Sequence, residues 1–209
     1  MRNYLVKTPR ILKAAYNRGV WHIDDVADSV FITFDDGPHP DITPYVLNEL
    51  EKAGAKATFF CIGKNVEKYP DIYQRILDEG HQVGNHTQNH KNGWSTDNTV
   101  YYRDILRAAK HIKSNLFRPP YGRITLAQGM GIEKLLPDTK IVMWDVLSGD
   151  FDTTLAPEDC LNNVTAHTKE GSIIVFHDSE KAFDRLQYAL PKFLAHCQQQ
   201  NWDMKALSL

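Results

Sequence analysis

Three stretches of this chain, "SVFITF" (29–34), "ATFFCI" (57–62) and "SIIVFH" (172–177), are apolar along their whole length rather than at every second residue. A strand of that kind needs cover on both faces, which a parallel sheet flanked by helices provides and a half-solvated antiparallel sheet does not. Helix-like segments fall between them. In "TPYVLNELEKAG" Thr43 fits the N-cap, Pro44 the first helical position and Gly54 the end, and Val46, Leu47 and Leu50 share one face. "PDIYQRILDEG", "TVYYRDILRAAKHIKS", "AQGMGIEKLL", "PEDCLNNVTAHTKEG" and "ALPKFLAHCQQQ" read as further helices, and "HQVGNH", "LFRPPYG", "KIVMWDV" and "WDMKAL" as further extended pieces. The alternation predicts an α/β fold, either a barrel or a doubly wound layer. With 209 residues, 42% of them apolar, a single domain over 1–209 is expected.

Composition narrows the function. A formal net charge of -2 without a lysine or arginine cluster offers no footprint for nucleic acid or an anionic membrane surface. No run is long and apolar enough for a membrane span. The basic N-terminus "MRNYLVKTPRILKAAYNRGV" lacks the continuous apolar core of a secretory signal, so the chain as written is expected in the cytoplasm. The three cysteines, Cys61, Cys160 and Cys197, have no C-x-x-C spacing and suggest neither a disulfide framework nor a thiolate metal site.

The polar residues matter by position, because Asp35, Asp36, His86, Arg118, Asp150 and His177 all fall at or just past the ends of extended segments. That rim is where barrels of this type build active sites. "FITFDDGP" sets two carboxylates side by side, and adjacent like charges repel unless a cation or proton separates their roles. In "GNHTQNH", His86 and His90 are spaced to reach one ion, and Asp36 would complete a two-histidine, one-aspartate set with open positions, an arrangement suited to hydrolytic zinc. Asp35, not needed as a ligand, is then placed to be a general base. The bland alternative is that both acids cap the turn at Gly37-Pro38. "FRPPYG" is a rigid ledge whose Tyr121 amide can donate to an oxyanion, and Arg118 can pair with Asp35 or simply flank a structural turn. His177 ends an apolar strand, where a histidine can be structural or can protonate a departing amine, with Asp150 of "WDVLSGDFD" orienting its ring.

Together "TFDDGP", "HTQNH", "RPPYG" and "VFHD" resemble the motifs of the polysaccharide deacetylase family (carbohydrate esterase family 4, the NodB homology domain) over about residues 29–209, with 1–28 as an N-terminal extension. The resemblance implies a distorted (β/α) barrel, often seven-stranded, with a divalent metal, usually zinc, at the C-terminal rim of the strands. It implies removal of acetyl groups from N- or O-acetylated sugars, with Asp36, His86 and His90 as ligands and Asp35 as base. It also gives roles to Arg118 in holding Asp35, to the Tyr121 amide in the oxyanion site, and to His177 as acid, tethered by Asp150. Two departures touch the substrate groove. The family's Asp-x-x-Asp-Trp pattern is Leu147 to Phe151 here, so Phe151 would wall the groove without an indole donor. Val175 replaces the leucine of a Leu-x-His pattern, so the acetyl-methyl pocket would be slightly larger. The chain is therefore expected to bind an acetylated sugar or oligosaccharide. A hydrolase of a small non-sugar amide or imide on the same scaffold, or a carbohydrate-binding protein without turnover, are the alternatives.

Overall fold

The computed structural model describes residues 4–209. In chain order it forms α1 (Arg10–Ala15), β1 (Gly19–Val20), β2 (Ser29–Asp35), α2 (Ile42–Lys52), β3 (Thr58–Cys61), α3 (Gly63–Lys68), α4 (Pro70–Asp78) and β4 (Gln82–Asn85). It continues through α5 (Asn98–Ala108), β5 (Leu116–Phe117), α6 (Leu126–Leu135), β6 (Lys140–Val142), β7 (Val146–Leu147), α7 (Pro157–Thr165), β8 (Ile173–His177), α8 (Phe183–Gln199) and β9 (Asp203–Met204). Every strand pairing is parallel, in the order β1-β6-β5-β4-β3-β2-β8-β7, with β9 beside the start of β2.

That order forces the sheet to curl. Strands β6 and β7 lie near opposite ends of the path, yet only Met143, Trp144 and Asp145 join them. Four Cα–Cα steps span at most about 15 Å, so the two ends must approach each other and the sheet becomes a distorted barrel. The seven-strand expectation is exceeded. "KIVMWDV" splits into β6 and β7 where Asp145 bends the chain into the interior, and the N-terminal extension supplies β1.

The extension also covers the seam. The Thr8 N–H donates to the Asp145 carbonyl and the Leu147 N–H to that of Val6, while Lys7 bridges Val146 in antiparallel sense. Asp145 is fully buried, with the Lys7 and Lys13 ammonium groups on one oxygen each and the Ser172 hydroxyl donating at 2.7 Å. Burial alone would raise its pKa, but these donors hold it below the usual carboxylate value.

Strand β2 is buried at every residue. Its Ile32 and Phe34 meet Phe59, Phe176 and the helix residues Val46, Leu47, Leu50, Leu190 and Phe193 in the largest core cluster. Helix α2 buries Val46, Leu47 and Leu50 as expected, and Gly54 leaves it at a left-handed φ of 63°. Thr43 is not its N-cap: the helix begins at Ile42, two residues earlier than expected, and the Thr43 hydroxyl is drawn inward to accept from the His39 N–H and donate to Asp178. The segment expected to be helical to Ser114 stops at Ala108. Helix α8 starts earlier than expected, at Phe183, and carries Pro191 inside it. Among the described residues no helix is long and apolar enough to cross a membrane.

Candidate active site

Asp35 is the last residue of β2 and is paired in register with His177, the last of β8. Arg118 lies just beyond β5, wholly buried, and donates from Nη1 to Asp35 Oδ1 and to Thr33 Oγ1, both at 2.7 Å. Its remaining nitrogens donate to the carbonyls of Val142 (3.3 Å) and Met143 (3.0 Å), and its guanidinium sits 4.0 Å from the Phe60 ring centroid. A buried cation fixed in this way cannot swing out to water. Burial would push the Asp35 carboxyl up, but Arg118, with His86 and His177 nearby, brings it below the ordinary value, so it is ionised.

Asp36 turns the chain away from the strand at φ 86°, and His90 and Tyr121 also hold left-handed backbone, at 54° and 60°. Such conformations are disfavoured for residues with a Cβ and tend to gather at functional sites. The turn is held by Asn65, whose Nδ2 donates to the Asp36 carbonyl at 2.7 Å. One ligand atom each from Asp36, His86 and His90 lies within 4.8 Å of the others. Asp36 Oδ1 is buried without a hydrogen-bond partner, 3.3 Å from His90 Nε2 and 3.9 Å from His86 Nε2. The His86 Nδ1–H donates to the Arg118 carbonyl at 2.8 Å, which leaves Nε2 as the free lone pair. Burial lowers the pKa of His86, and burial together with His86 lowers that of His90 to about 4, so both rings are neutral at pH 7. An orphaned carboxylate oxygen facing two neutral imidazoles is a donor set that fits a divalent cation such as zinc. Asp35 is not part of that set; its Oδ2 lies 4.0 Å from His86 Nε2.

On the other side of Asp35, His177 Nδ1 and Asp150 Oδ1 are 2.7 Å apart, and the His177 N–H donates to Asp150 Oδ2 at 2.7 Å. Asp150 is itself fixed by Arg185, whose Nε donates to its carbonyl at 2.6 Å. Burial opposes a charge on His177, but the Asp150 carboxylate outweighs it and raises the pKa to about 9.

The Tyr121 N–H, at the end of the Pro119–Pro120 ledge, makes no hydrogen bond within the described residues, and its ring lies 4.5 Å from that of His90. Phe151 packs edge-on to His177 at 5.2 Å. Val175 lies two residues before His177 and is only 1% exposed. A pocket of about 280 Å³ adjoins the ligand cluster, lined by Asp36, His90, His39, Lys64, Asn65 and Ser179 among others.

Two contributors have no role in the sequence reading. Asp178, the last letter of "VFHD", is buried and accepts from the Gly37 N–H at 3.0 Å and from Thr43. Burial, with Asp36 nearby, raises its pKa to about 8. A Cβ on Gly37 would stand 2.0 Å from its Oδ2, so the glycine after the acid pair is required by this contact. Tyr4 lies 5.1 Å from the Phe151 ring and donates from its hydroxyl to Asp152 at 3.0 Å, which brings the N-terminal extension to the rim. Only the sequence position of Asp178 hinted at its role, and nothing in the sequence hinted at that of Tyr4.

The chain is similar to known proteins in sequence and in fold. A family model described as polysaccharide deacetylase matches residues 22–129. A peptidoglycan-N-acetylglucosamine deacetylase of Bacillus cereus is 32% identical over 193 residues, 90% of each chain. A chitooligosaccharide deacetylase of Azorhizobium caulinodans is 34% identical over 157 residues, 72% of this chain and 73% of that one. The chain spans only 56% of a second Bacillus cereus peptidoglycan-N-acetylglucosamine deacetylase and 36% of one from Listeria monocytogenes. A crystal structure of a peptidoglycan N-acetylglucosamine deacetylase superposes with a TM-score of 0.81 at 31% identity, over 90% of this chain and 89% of the other.

Proposed function

Because the chain belongs to the polysaccharide deacetylase family, we propose that it hydrolyses the acetamide of an N-acetylglucosamine-type sugar with the help of one divalent metal ion, zinc being the usual choice. The observation that carries this is the separation of roles in the acid pair: Arg118 holds one oxygen of Asp35, while Asp36 alone joins His86 and His90.

Asp36, His86 and His90 would hold the ion. When bound it supplies a Lewis acid, which polarises the scissile carbonyl and lowers the pKa of an attacking water from about 15.7 towards 7. Asp35 accepts the water's proton at Oδ2, since its Oδ1 is engaged by Arg118. The Tyr121 N–H donates to the carbonyl oxygen as negative charge builds on it. His177 gives the proton on its Nε2 to the departing nitrogen, without which an amine leaves poorly. Asp150 keeps that ring charged and correctly turned. Phe151 walls the site beside the acid.

Acetate release from a panel of acetylated oligosaccharides and small amides tests the proposal. Turnover is expected on N-acetylated sugars, to be lost on treatment with a chelator and restored by added zinc. Chelator-insensitive turnover would remove the metal from the mechanism, and turnover on small amides alone would make the chain a small-amide hydrolase.

The acid gives a separate check. Titrated by NMR in the metal-free protein, His177 is expected near 9. Asp150→Asn removes the largest of the charges that raise it and leaves burial opposed only by Asp36 and Asp35, so the value should fall. Because the reaction needs the charged ring, the alkaline limb of kcat/KM should move to lower pH in the variant. An unmoved limb would show that His177 is not the acid.

A further inference from the structure

Beside the ligand cluster stands a second, rigid group of side chains to which the proposed mechanism gives no role. Trp94 is 66% exposed and Tyr121 60%, high values for rings of this size, yet the indole is not loose. Its Nε1 donates to the Ile124 carbonyl at 3.2 Å, and its backbone N–H is capped by Asn92 at 3.0 Å. The loop that carries it is locked to the one after the ledge. Gln128 Nε2 donates to the Gly93 carbonyl at 2.7 Å, and a Cβ on Gly93 would come within 2.3 Å of the Arg123 carbonyl oxygen. Gln128 and Thr125 form a reciprocal cap that anchors the same turn to α6.

Arg123 lies over this platform, with its guanidinium carbon 5.3 Å from the Trp94 ring centroid and 5.9 Å from that of Tyr121. Tyr121 in turn packs on His90, so Arg123 is one ring away from a metal ligand. Among the described residues it forms no ion pair. A guanidinium resting on aromatic rings keeps its N–H donors free in its own plane, where they match the two oxygens of a carboxylate. The exposed indole offers the flat apolar face on which a sugar ring can lie. Lys64, in the pocket on the Asp36 side of His90, adds a second cation to a protein whose overall charge is slightly negative.

We propose that Trp94, Tyr121 and Arg123 form a subsite for the sugar next to the acetylated one, and that Arg123 reads a carboxylate carried by that sugar. The subsite rests on the deacetylase proposal and narrows its substrate to an acidic glycan. The test compares two probes of equal length: the N-acetylglucosamine tetramer and the same tetramer bearing carboxymethyl ethers. The wild-type protein should have the higher kcat/KM on the carboxymethylated probe. Arg123→Gln should lower the ratio of the two constants by about ten- to a hundredfold, the range expected for hydrogen bonds to a charged group. Arg123→Lys, which keeps the charge but not the fork, should fall between. A wild-type preference for the neutral probe, or a ratio that Arg123→Gln leaves unmoved, would overturn the subsite. Calorimetric binding of both tetramers to metal-free protein separates this from the parent proposal. If neither probe is deacetylated but Arg123→Gln still abolishes tighter binding of the acidic tetramer, the subsite stands and the hydrolytic assignment fails. Equal binding of the two tetramers by the wild-type protein overturns the subsite whatever the activity.

Discussion

Asp35→Asn is expected to retain the metal and lose between about a hundredfold and ten-thousandfold of kcat, the range for removal of a positioned general base. The substitution keeps the shape of the side chain, and an amide oxygen can still accept from Arg118 Nη1 at the position of Oδ1. What it removes is the capacity to take up a proton. Metal content and kcat measured on the same preparation separate the possibilities: an inactive, metal-free variant would make Asp35 a ligand, and a fully active one would leave it no part in proton transfer. Because burial raises the Asp35 pKa less than Arg118 and the neighbouring histidines lower it, the acid limb of kcat/KM in the wild-type protein should lie below the ordinary carboxylate value of 3.8.

Arg118→Met is expected to be the most damaging single change to stability. Removing one member of a buried pair leaves the other charge uncompensated, at a cost of about 3–5 kcal/mol. Here three further acceptors, the Thr33 hydroxyl and the carbonyls of Val142 and Met143, lose their donor as well. The pH dependence has a definite sign. In the wild-type protein Asp35 has a depressed folded pKa, so its contribution is fully present above the ordinary carboxylate value and is lost as pH falls through the depressed one. With Arg118 gone, burial dominates and Asp35 prefers to be protonated, so the deficit of the variant should be largest near neutral pH and shrink in acid. Denaturant unfolding at two pH values measures this, and Arg118→Met combined with Asp35→Asn should recover part of the loss. A deficit independent of pH and of residue 35 would mean that Arg118 acts through packing on Phe60 rather than through charge.

The parallel, helix-covered α/β sheet was legible because its central strands are apolar on both faces, whereas the choice of a barrel over a doubly wound layer came only with the family resemblance. The candidate site was legible because Asp35, Asp36, His86, Arg118, Asp150 and His177 stand at or just past the ends of extended segments. Resolution failed where distant residues decide. Thr43 fits a cap by local propensity, but the interior competes for its hydroxyl through Asp178, 135 positions away. "KIVMWDV" has the composition of one strand and forms two, because Asp145 turns inward to meet Lys7 and Lys13, which no local pattern announces. The same applies to Tyr4 at the groove wall. Short-range periodicity reports which face of an element is covered, not which remote segment covers it.

Asp35 and His177 face each other across one rung of the β2–β8 ladder. The proposed proton acceptor and donor therefore hang from backbones about 4.8 Å apart, a spacing that strand pairing imposes and loop sequence cannot adjust. Slipping either strand by one position would turn its terminal side chain to the opposite side of the sheet. The placement of these two residues is thus insulated from drift in the surrounding loops, and those loops are left free to diversify.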